Sequence, residues 1–259
     1  MAVVPLKNIA REDADRLTEF IRRSVESTGA DGVVVGISGG VDSAVVVKLC
    51  ADAIGGDRVL AVFMPTAFTP AEDYRITKQM CRSWGVNYSA ISIQAAVDAF
   101  SGMLLTGKEA PLEKGNIMAR CRMVVLYDKA KKENSIVVGT TNRSELLMGY
   151  MTKYGDGAED IMPMGGIYKT QVWELAKIVG VPQEVIDKVP TAGLWEGQSD
   201  EEEMGITYHD LDLTLNAIDQ GASDEEAASA GGITVEHAAE IRRQIARMEH
   251  KRLPPRMPE

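Results

Sequence analysis

Short apolar runs alternate with longer amphipathic segments along the first half of the chain. Continuous apolar runs predict four strands, at residues 33–35, 59–64, about 88–93 and 136–138. Runs of this length without polar alternation are typical of strands that are buried on both faces of a parallel sheet. Helical spacing of apolar positions predicts four helices, at residues 12–28, after Pro70, at about 94–105 and at 116–133.

This alternation predicts an α/β fold with a doubly wound, mostly parallel sheet and helices on both faces. In such folds ligands bind at the carboxyl ends of the strands. Beyond about residue 165 the spacing of apolar positions is helical only, so we expect a helical C-terminal part. No internal repeat, low-complexity segment or long linker interrupts the chain, which predicts a single domain over residues 1–259.

The first predicted strand ends in a glycine-rich turn, Gly36–Ser43, with the sequence GISGGVDS, and an apolar helix follows. The three glycines of this turn let a ligand approach the backbone N–H groups at the positive end of the helix. Its two serines add hydroxyl donors. The turn therefore predicts a phosphate-binding site.

The turn differs from the two common nucleotide-binding loops. Gly40 is followed by Val41, Asp42 and Ser43, not by the Lys-Ser/Thr pair of a Walker A loop, and the glycine spacing does not match the dinucleotide fingerprint. A carboxylate beside phosphate requires a positive charge between the two, and Mg²⁺ binds carboxylates together with phosphate oxygens. We therefore predict that Asp42 is a Mg²⁺ ligand; the alternative is that it caps the helix.

Composition and charge narrow the class of protein. Apolar residues make up 45% and charged residues 25% of the chain, as in soluble globular proteins. The formal net charge of −10 and the lack of a basic tract argue against a nucleic-acid partner. Without a signal-peptide or membrane-spanning pattern we expect a cytoplasmic protein with no membrane partner. Cys50, Cys81 and Cys121 form no C-x-x-C pair, which predicts buried thiols and no structural zinc.

A second group of polar residues follows the strand at 136–138. Thr140 stands at the end of this strand and lies beside the glycine-rich turn if the two strands are neighbours. Asn142 and Glu145 are three residues apart, a spacing that puts both on one face of a helix and offers a second carboxylate. The stretch TKYGDGAED at residues 152–160 has the composition of an irregular binding loop, although its charges can equally be solvated.

The turn and several later blocks resemble known families. SGGVDS after a strand resembles the pyrophosphate loop of the N-type ATP pyrophosphatases, which cleave ATP to AMP and pyrophosphate. The resemblance to ammonia-dependent NAD synthetases runs from about Gly36 to about Lys251 and rests on KGNIMARCRM, GTTNRSELLMGYMTKYGDGAEDIMP, YKTQVWELAKIVGVP, PTAGLWEGQSDEEEMG and MEHKR. It implies an adenine nucleotide α-hydrolase-like fold. It also implies a homodimer that converts deamido-NAD to NAD with ATP, Mg²⁺ and ammonia.

The resemblance also implies a set of residues for each ligand. It implies that ATP contacts Gly36, Ile37, Ser38, Gly39, Gly40, Val41, Asp42, Ser43, Thr140, Lys169 and Thr191. It implies that Mg²⁺ is held by Asp42 and Glu145. It implies that deamido-NAD contacts Arg120, Lys153, Asp160, His250 and Lys251, in a site that two subunits share. Catalytic roles are implied for Ser38, Asp42 and Lys169 at the phosphates and for Asp156, which receives ammonia near the reacting carbon.

A possible lid, the end of the last helix and three unusual residues give further expectations. Residues 191–205 are expected to form a mobile lid that excludes water from an acyl-adenylate, a solvated loop being the alternative. His250 and Lys251 are expected to end a long amphipathic helix, where capping is the alternative role. Phe63 and Thr69 replace polar or basic nucleotide contacts of some members of the family, and Glu159 stands where many members have a small residue.

Two other functions stay open at this point. A GMP synthetase-like ligase would share the first loop but leaves the TKYGDG and EHKR blocks unexplained. A non-catalytic nucleotide-binding module leaves the pairing of Asp42 with Glu145 unexplained. The 35 residues before Gly36 are too few for a glutaminase region, so we expect ammonia itself to be the nitrogen donor.

Overall fold

One parallel β-sheet organises the chain. The computed structural model describes residues 3–107, 110–191, 193, 199–255 and 257–258. The strands are β1 Gly32–Ile37, β2 Val59–Phe63, β3 Asn87–Ala90 and β4 Ser135–Val138. Their order across the sheet is β3, β2, β1, β4, and all three pairings are parallel. The predicted strands are therefore present, with ends close to those expected.

Helices precede, connect and follow these strands. The helices up to the end of the sheet region are α1 Arg11–Thr28, α2 Val41–Ile54, α3 Ala71–Ser83, α4 Gln94–Met103, α5 Pro111–Lys132 and α6 Arg143–Met148. The later ones are α7 Lys169–Val179, α8 Gln183–Ile186, α9 Asp200–Met204, α10 Tyr208–Asp219, α11 Asp224–Gly231, α12 Val235–Arg247 and α13 Glu249–Arg252. The helical C-terminal part that the sequence predicts is thereby confirmed.

Each face of the sheet has its own apolar core. Val33 and Val35 of β1 point to one face, where they pack with side chains of α1, α2, α3, α7 and α8. Val34 points to the opposite face, where it packs with side chains of α4 and α5. This alternation follows from the two-residue period of a strand. Helices on both faces make the sheet doubly wound, as predicted.

The C-terminal helices form a separate core beside the sheet. Tyr208, Leu211 and Leu215 of α10 pack with Ile241 of α12 and Leu147 of α6. Tyr208, Leu211 and Leu215 are fully buried, so α10 lies in the middle of this group. The core places α10 against the first residues of α6 and α7, which lie next to the ends of the strands.

Three local features differ from the sequence expectations. Helix α2 begins at Val41, because Gly40 has an extended backbone and ends the turn, so Asp42 lies in the first helical turn. Helix α12 ends at Arg247, and His250 and Lys251 belong to the separate short helix α13. The acidic part of the predicted mobile lid is helical, as α9, and Asp200 is buried. Residues 192 and 194–198 of that lid, with Trp195, lie outside the described residues.

The structure shows the burial of the three cysteines and the length and polarity of the helices. Cys50, Cys81 and Cys121 are buried and unpaired with one another, as predicted. Within the described parts of the chain, no helix combines the length and the apolar character that crossing a membrane requires.

Candidate active site

A cleft opens where the order of the strands reverses. The chain leaves β1 for β2 on one side and later returns to the other side of β1 as β4, and such a switch point leaves a crevice at the carboxyl ends of the strands. The cleft has a volume of about 660 Å³. Most of the predicted ATP residues line it: Gly36, Ile37, Ser38, Gly40, Val41, Asp42, Ser43, Thr140, Lys169 and Thr191. The condition for Thr140 to lie beside the turn, that β1 and β4 are neighbours, is met by the pairing of Val35 with Val138.

The glycine-rich turn forms the floor of this cleft and is held by its own hydroxyl groups. The backbone N–H of Ser38 donates to Oγ of Ser43 at 3.1 Å, and the N–H of Gly40 donates to Oγ of Ser38 at 3.2 Å. Gly39 has φ +89°, and a Cβ there would come within 3.1 Å of the Asp73 carboxylate. A side chain at this position would therefore strain the backbone as well as crowd the turn.

Three charged side chains meet at the edge of the turn. The Lys169 ammonium donates to the Asp42 carboxylate, and its Nζ lies 3.9 Å from Oε1 of Glu145. Nδ2 of Asn142 donates to the other oxygen of Asp42 at 2.9 Å. The N–H of Asn142 donates to Glu145 at 3.1 Å and the N–H of Glu145 donates to Asn142 at 3.0 Å. This reciprocal capping of α6 brings Asn142 and Glu145 together, as their spacing predicts.

Burial and mutual charge shift the pKa values of the side chains in this cluster. Desolvation, followed by the negative charge of Asp42, raises the pKa of Glu145 to about 8. Burial works to lower the pKa of Lys169, but the Asp42 and Glu145 carboxylates raise it above its ordinary value. The Lys169 side chain is 3% exposed, although it stands at the first position of α7. Its ammonium also lies 5.4 Å from the ring centre of Tyr208, on α10.

The donor set around Asp42 and Glu145 fits a hard divalent cation. Both side chains offer oxygen ligands, and both carboxylates lie next to the Lys169 ammonium, so positive charge is favourable between them. Mg²⁺ prefers such oxygen ligands and takes only one or two of them from carboxylates. Within the described residues no group of three or more His, Cys, Asp or Glu side chains is arranged to hold a metal ion. Phosphate oxygens and water would have to complete the coordination.

Asp156, the residue predicted to receive ammonia, also lines the cleft. Its carboxylate accepts the N–H of Thr152 at 2.8 Å. Although Asp156 faces the cleft, the protein around it desolvates the carboxyl and raises its pKa, and the nearby Arg122 and Lys251 oppose that shift. Lys251 also lines the cleft, and its ammonium donates to the carbonyls of Gly149 and Met151 at 2.6 and 2.7 Å.

Sequence reasoning missed Arg122, which lines the cleft beside Asp156. Burial lowers the pKa of its guanidinium, and the Asp156 carboxylate opposes that effect. The block KGNIMARCRM contains both Arg120 and Arg122, but a helix turns about 200° over two residues, so only one of them can face the cleft. The block KGNIMARCRM therefore contained the information that one arginine faces the cleft, but the resemblance pointed to Arg120 instead of Arg122.

The other residues predicted to contact deamido-NAD do not line this cleft. Arg120 is exposed, and its guanidinium donates to the carbonyl of Lys153 at 3.3 Å. The Lys153 ammonium donates to the carbonyl of His250 at 2.6 Å. Asp160 accepts the backbone N–H of Val137 at 2.8 Å, so its carboxylate is occupied with β4. These residues lie at the surface next to the cleft rather than inside it.

Phe63, Thr69 and Glu159, the three departures from the family pattern, all line the cleft. Glu159 is unusual because its Oε2 is buried and has no hydrogen-bond partner. Its side chain packs on Gly139, where a Cβ would come within 2.6 Å of Cγ of Glu159. Burial, followed by the negative charges of Asp156 and Asp160, raises the pKa of Glu159 to about 8.

We expect Glu159 to make the stability of the protein depend on pH. Because its folded-state pKa is about 8 and an unfolded glutamate titrates near 4.3, the folded protein binds an extra proton between these values. The free energy of unfolding should therefore fall as pH rises through this interval, by up to about 1.4 kcal/mol per pH unit. In urea titrations from pH 6 to 9, Glu159→Gln should flatten this fall, whereas the exposed control Glu236→Gln should not. Parallel profiles for the two variants would contradict this role of Glu159.

Comparisons with known proteins give a consistent picture. The family model described as NAD synthase matches residues 14–255. The NH(3)-dependent NAD(+) synthetase of Methanosarcina acetivorans is 45% identical over 247 residues, which are 95% of this chain and 96% of that protein. The solved structure of an NMN synthetase from Francisella tularensis has a TM-score of 0.85 and 34% identity, with 97% of this chain and 99% of that chain covered. The solved NH3-dependent NAD synthetase from Campylobacter jejuni has a TM-score of 0.80 and 30% identity, with 96% and 98% covered.

These matches extend over almost the whole chain, including the glycine-rich turn, α6, the Asp156 loop and the start of α7. They confirm the resemblance on which the sequence analysis rests. The chain belongs to the NAD synthase family.

Proposed function

We propose that the protein converts deamido-NAD, ATP and ammonia to NAD, AMP and pyrophosphate. The observation that carries this proposal is the meeting of Asp42, Glu145 and Lys169 beside the glycine-rich turn, in a cleft that Asp156 also lines. The family membership supports ATP as a substrate and ammonia as the nitrogen donor. The GMP synthetase-like alternative has no such support.

The turn and Lys169 suit activation of a carboxylate by the α-phosphate of ATP. A carboxylate reacts poorly with ammonia because oxide is a poor leaving group, so it must first be converted to an acyl-adenylate or an acyl phosphate. The N–H and hydroxyl groups of the turn can hold the β- and γ-phosphates as the departing pyrophosphate. Lys169 can then stabilise the negative charge that develops during its departure. Mg²⁺ held by Asp42 and Glu145 would neutralise phosphate charge when bound.

Asp156 is proposed to orient ammonia toward the activated carbonyl. Burial raises the pKa of its carboxyl, and the positive charges of Arg122 and Lys251 oppose that rise. Both cations are also suited to hold an anionic group of the dinucleotide near Asp156. Attack of ammonia on the carbonyl would expel AMP and leave the amide of NAD.

A labelled substrate tests this chemistry. With ¹⁸O in the nicotinate carboxylate of deamido-NAD, plus ATP, Mg²⁺ and ammonium, the label should appear in the phosphate of AMP. The reason is that the carboxylate oxygen remains bonded to the α-phosphorus when ammonia attacks the carbonyl. Mass spectrometry of the nucleotides measures this. Label in inorganic phosphate with ADP as the co-product would contradict activation by the α-phosphate, and no turnover of any kind would support a non-catalytic binding module.

The same assay can test whether the pyridine substrate is a dinucleotide or a mononucleotide. The similarity to a protein named NMN synthetase makes the mononucleotide of nicotinic acid the natural competitor for deamido-NAD. We expect a higher kcat/KM with deamido-NAD, since the relative from Methanosarcina acetivorans, 45% identical to this chain, is named for NAD. A higher kcat/KM with the mononucleotide would reassign the substrate but not the reaction.

We propose further that a second copy of the chain completes the deamido-NAD site. Large apolar side chains are exposed along α4, the loop after it and α5: Phe100, Met103, Leu104, Leu105, Leu112 and Val124. Arg120 and Val124 are four residues apart on α5 and share its exposed face. A partner that covers this face would bring its own surface to Arg120, Lys153 and His250.

Val124→Asp should therefore weaken the dimer and the binding of deamido-NAD together, because a charge in an apolar interface is costly to bury. Binding of ATP should change little, since the turn lies inside the cleft of one subunit. Sedimentation velocity and equilibrium binding of each nucleotide measure the two effects, with the exposed change Lys177→Met on α7 as a control. A wild-type monomer that is fully active at assay concentration would contradict the shared site.

A further inference from the structure

A buried carboxylate on α10 connects the C-terminal helices to the catalytic lysine. Asp212 is fully buried, and its Oδ1 accepts the hydroxyl of Ser144, on α6, at 2.5 Å. Its Oδ2 accepts both the N–H and the hydroxyl of Thr170, on α7, at 2.7 and 2.8 Å. The Ser144 hydroxyl oxygen in turn accepts the N–H of Lys169 at 3.0 Å. One carboxylate therefore binds the beginnings of α6 and α7, the helices that carry Glu145 and Lys169.

These bonds satisfy groups that the helices cannot satisfy themselves. The first N–H groups of α7 have no acceptor within their own helix. Asp212 and Ser144 supply acceptors for the first two of them, those of Lys169 and Thr170. The negative charge of Asp212 is also favourable at the positive end of α7. The bonds join α6 and α7 at residues next to Glu145 and Lys169.

We propose that Asp212 is a positioning residue that fixes the start of α7 against α6, so that the Lys169 ammonium meets Asp42 and Glu145. This inference rests on the proposed function, in which Lys169 acts on the phosphates. A carboxylate suits this task because it accepts three hydrogen bonds from two helices at once. An apolar residue of similar size would fill the same space but would leave the N–H of Thr170 and the hydroxyl of Ser144 without an acceptor.

Asp212→Asn keeps the volume but replaces one acceptor oxygen by an NH2 group. The bonds to Ser144 and Thr170 can then not all form, and the start of α7 loosens. Since misplacement of a catalytic group by about 1 Å can cost about 10²-fold in rate, we expect kcat to fall by about that factor. KM for deamido-NAD and the Kd of ATP should change by less than about threefold, because the effect lies in the transition state.

Thr214→Val is the matched control on the same helix. Thr214 is also fully buried, and its hydroxyl donates to the carbonyl of Asp210 within α10, away from Lys169. Circular dichroism gives the folded fraction of each variant. The double variant Asp212→Asn with Ser144→Ala should lose little more activity than Asp212→Asn alone, because both changes break one chain of bonds.

Amide hydrogen exchange at residues 169 and 170 gives a readout that does not depend on activity. Asp212→Asn should speed exchange at these two amides by at least about tenfold, and Thr214→Val should not. Unchanged exchange, or a kcat loss equal to that of Thr214→Val, would overturn the positioning role. If the wild type makes no NAD, the proposed function fails, and the exchange rates still decide whether Asp212 fixes the start of α7.

Discussion

Lys169→Met is expected to lower kcat/KM by about 10³-fold while the protein stays folded, the loss typical of removing a positioned cation from phosphoryl-transfer chemistry. The Lys169 ammonium is nearly inaccessible to solvent and donates to the carboxylate of Asp42, in the glycine-rich turn. In such a water-excluded position its charge acts on the departing pyrophosphate with little screening. Methionine has a similar length and packs in its place without the charge. Steady-state kinetics at saturating Mg²⁺ measures the loss.

The control for this prediction is Lys177→Met, the same change at an exposed position of the same helix. It should leave kcat/KM within about twofold of wild type, as most exposed substitutions do. Lys169→Met should also unfold at lower temperature without Mg²⁺, because Asp42 and Glu145 then share a buried site without a cation. Near-normal turnover of Lys169→Met would show that Lys169 only balances the two carboxylates.

The fold could be predicted from sequence because each of its elements has a local signal. The β-branched run at Val33–Val35 has no polar position, which only a strand covered on both faces tolerates. The glycine-rich turn between that strand and α2 requires a backbone that few other residues adopt, as the φ of Gly39 shows. Local rules of this kind determine the elements and the glycine-rich turn even without knowledge of the packing.

The residues that the sequence missed owe their roles to contacts between distant segments. Tyr208 and Asp212 reach Lys169 and its helix from α10 only after the C-terminal helices pack on α6 and α7. Nothing local distinguishes Asp212 from an acid that is only half-buried, such as Asp210, two residues earlier. A solvated loop was the alternative to a lid over residues 191–205, but the carboxylate of Asp200 in this segment is buried and accepts the hydroxyl of Tyr208 at 3.2 Å. Burial of an acid depends on which donors the fold brings to it.

Neighbouring positions in a loop were also hard to tell apart. The resemblance points to Asp160 as a substrate contact, whereas the structure places Glu159 in the cleft and turns Asp160 toward the N–H of Val137. Without a regular period, the direction of successive side chains in residues 152–160 cannot be derived from spacing. Asp160 could contact the substrate only if a partner subunit covers the surface on which it lies.

Asp42→Asn is the second change for which we expect a large loss of activity. We expect kcat/KM to fall by about 10³-fold, the equivalent of about 4 kcal/mol, since a neutral amide holds Mg²⁺ and phosphate charge poorly. The fold should persist, because asparagine keeps the size of the side chain and Glu145 remains 3.9 Å from Lys169 as its partner. Glu145→Gln should have an effect of similar size for the same reason, with Asp42 left to hold the lysine.

The measurement that connects these losses to the metal is a Mg²⁺ titration of the rate. Both variants should require more Mg²⁺ for half-maximal activity than the wild type, because each lacks one of two anionic ligands. Asp52→Asn is the matched control: it lies on the same helix as Asp42, is exposed and pairs with Lys48, so its titration should coincide with that of wild type. If Asp42→Asn and Asp52→Asn give the same Mg²⁺ dependence, Asp42 acts on Lys169 alone, and the divalent cation must be bound by ATP without help from α2.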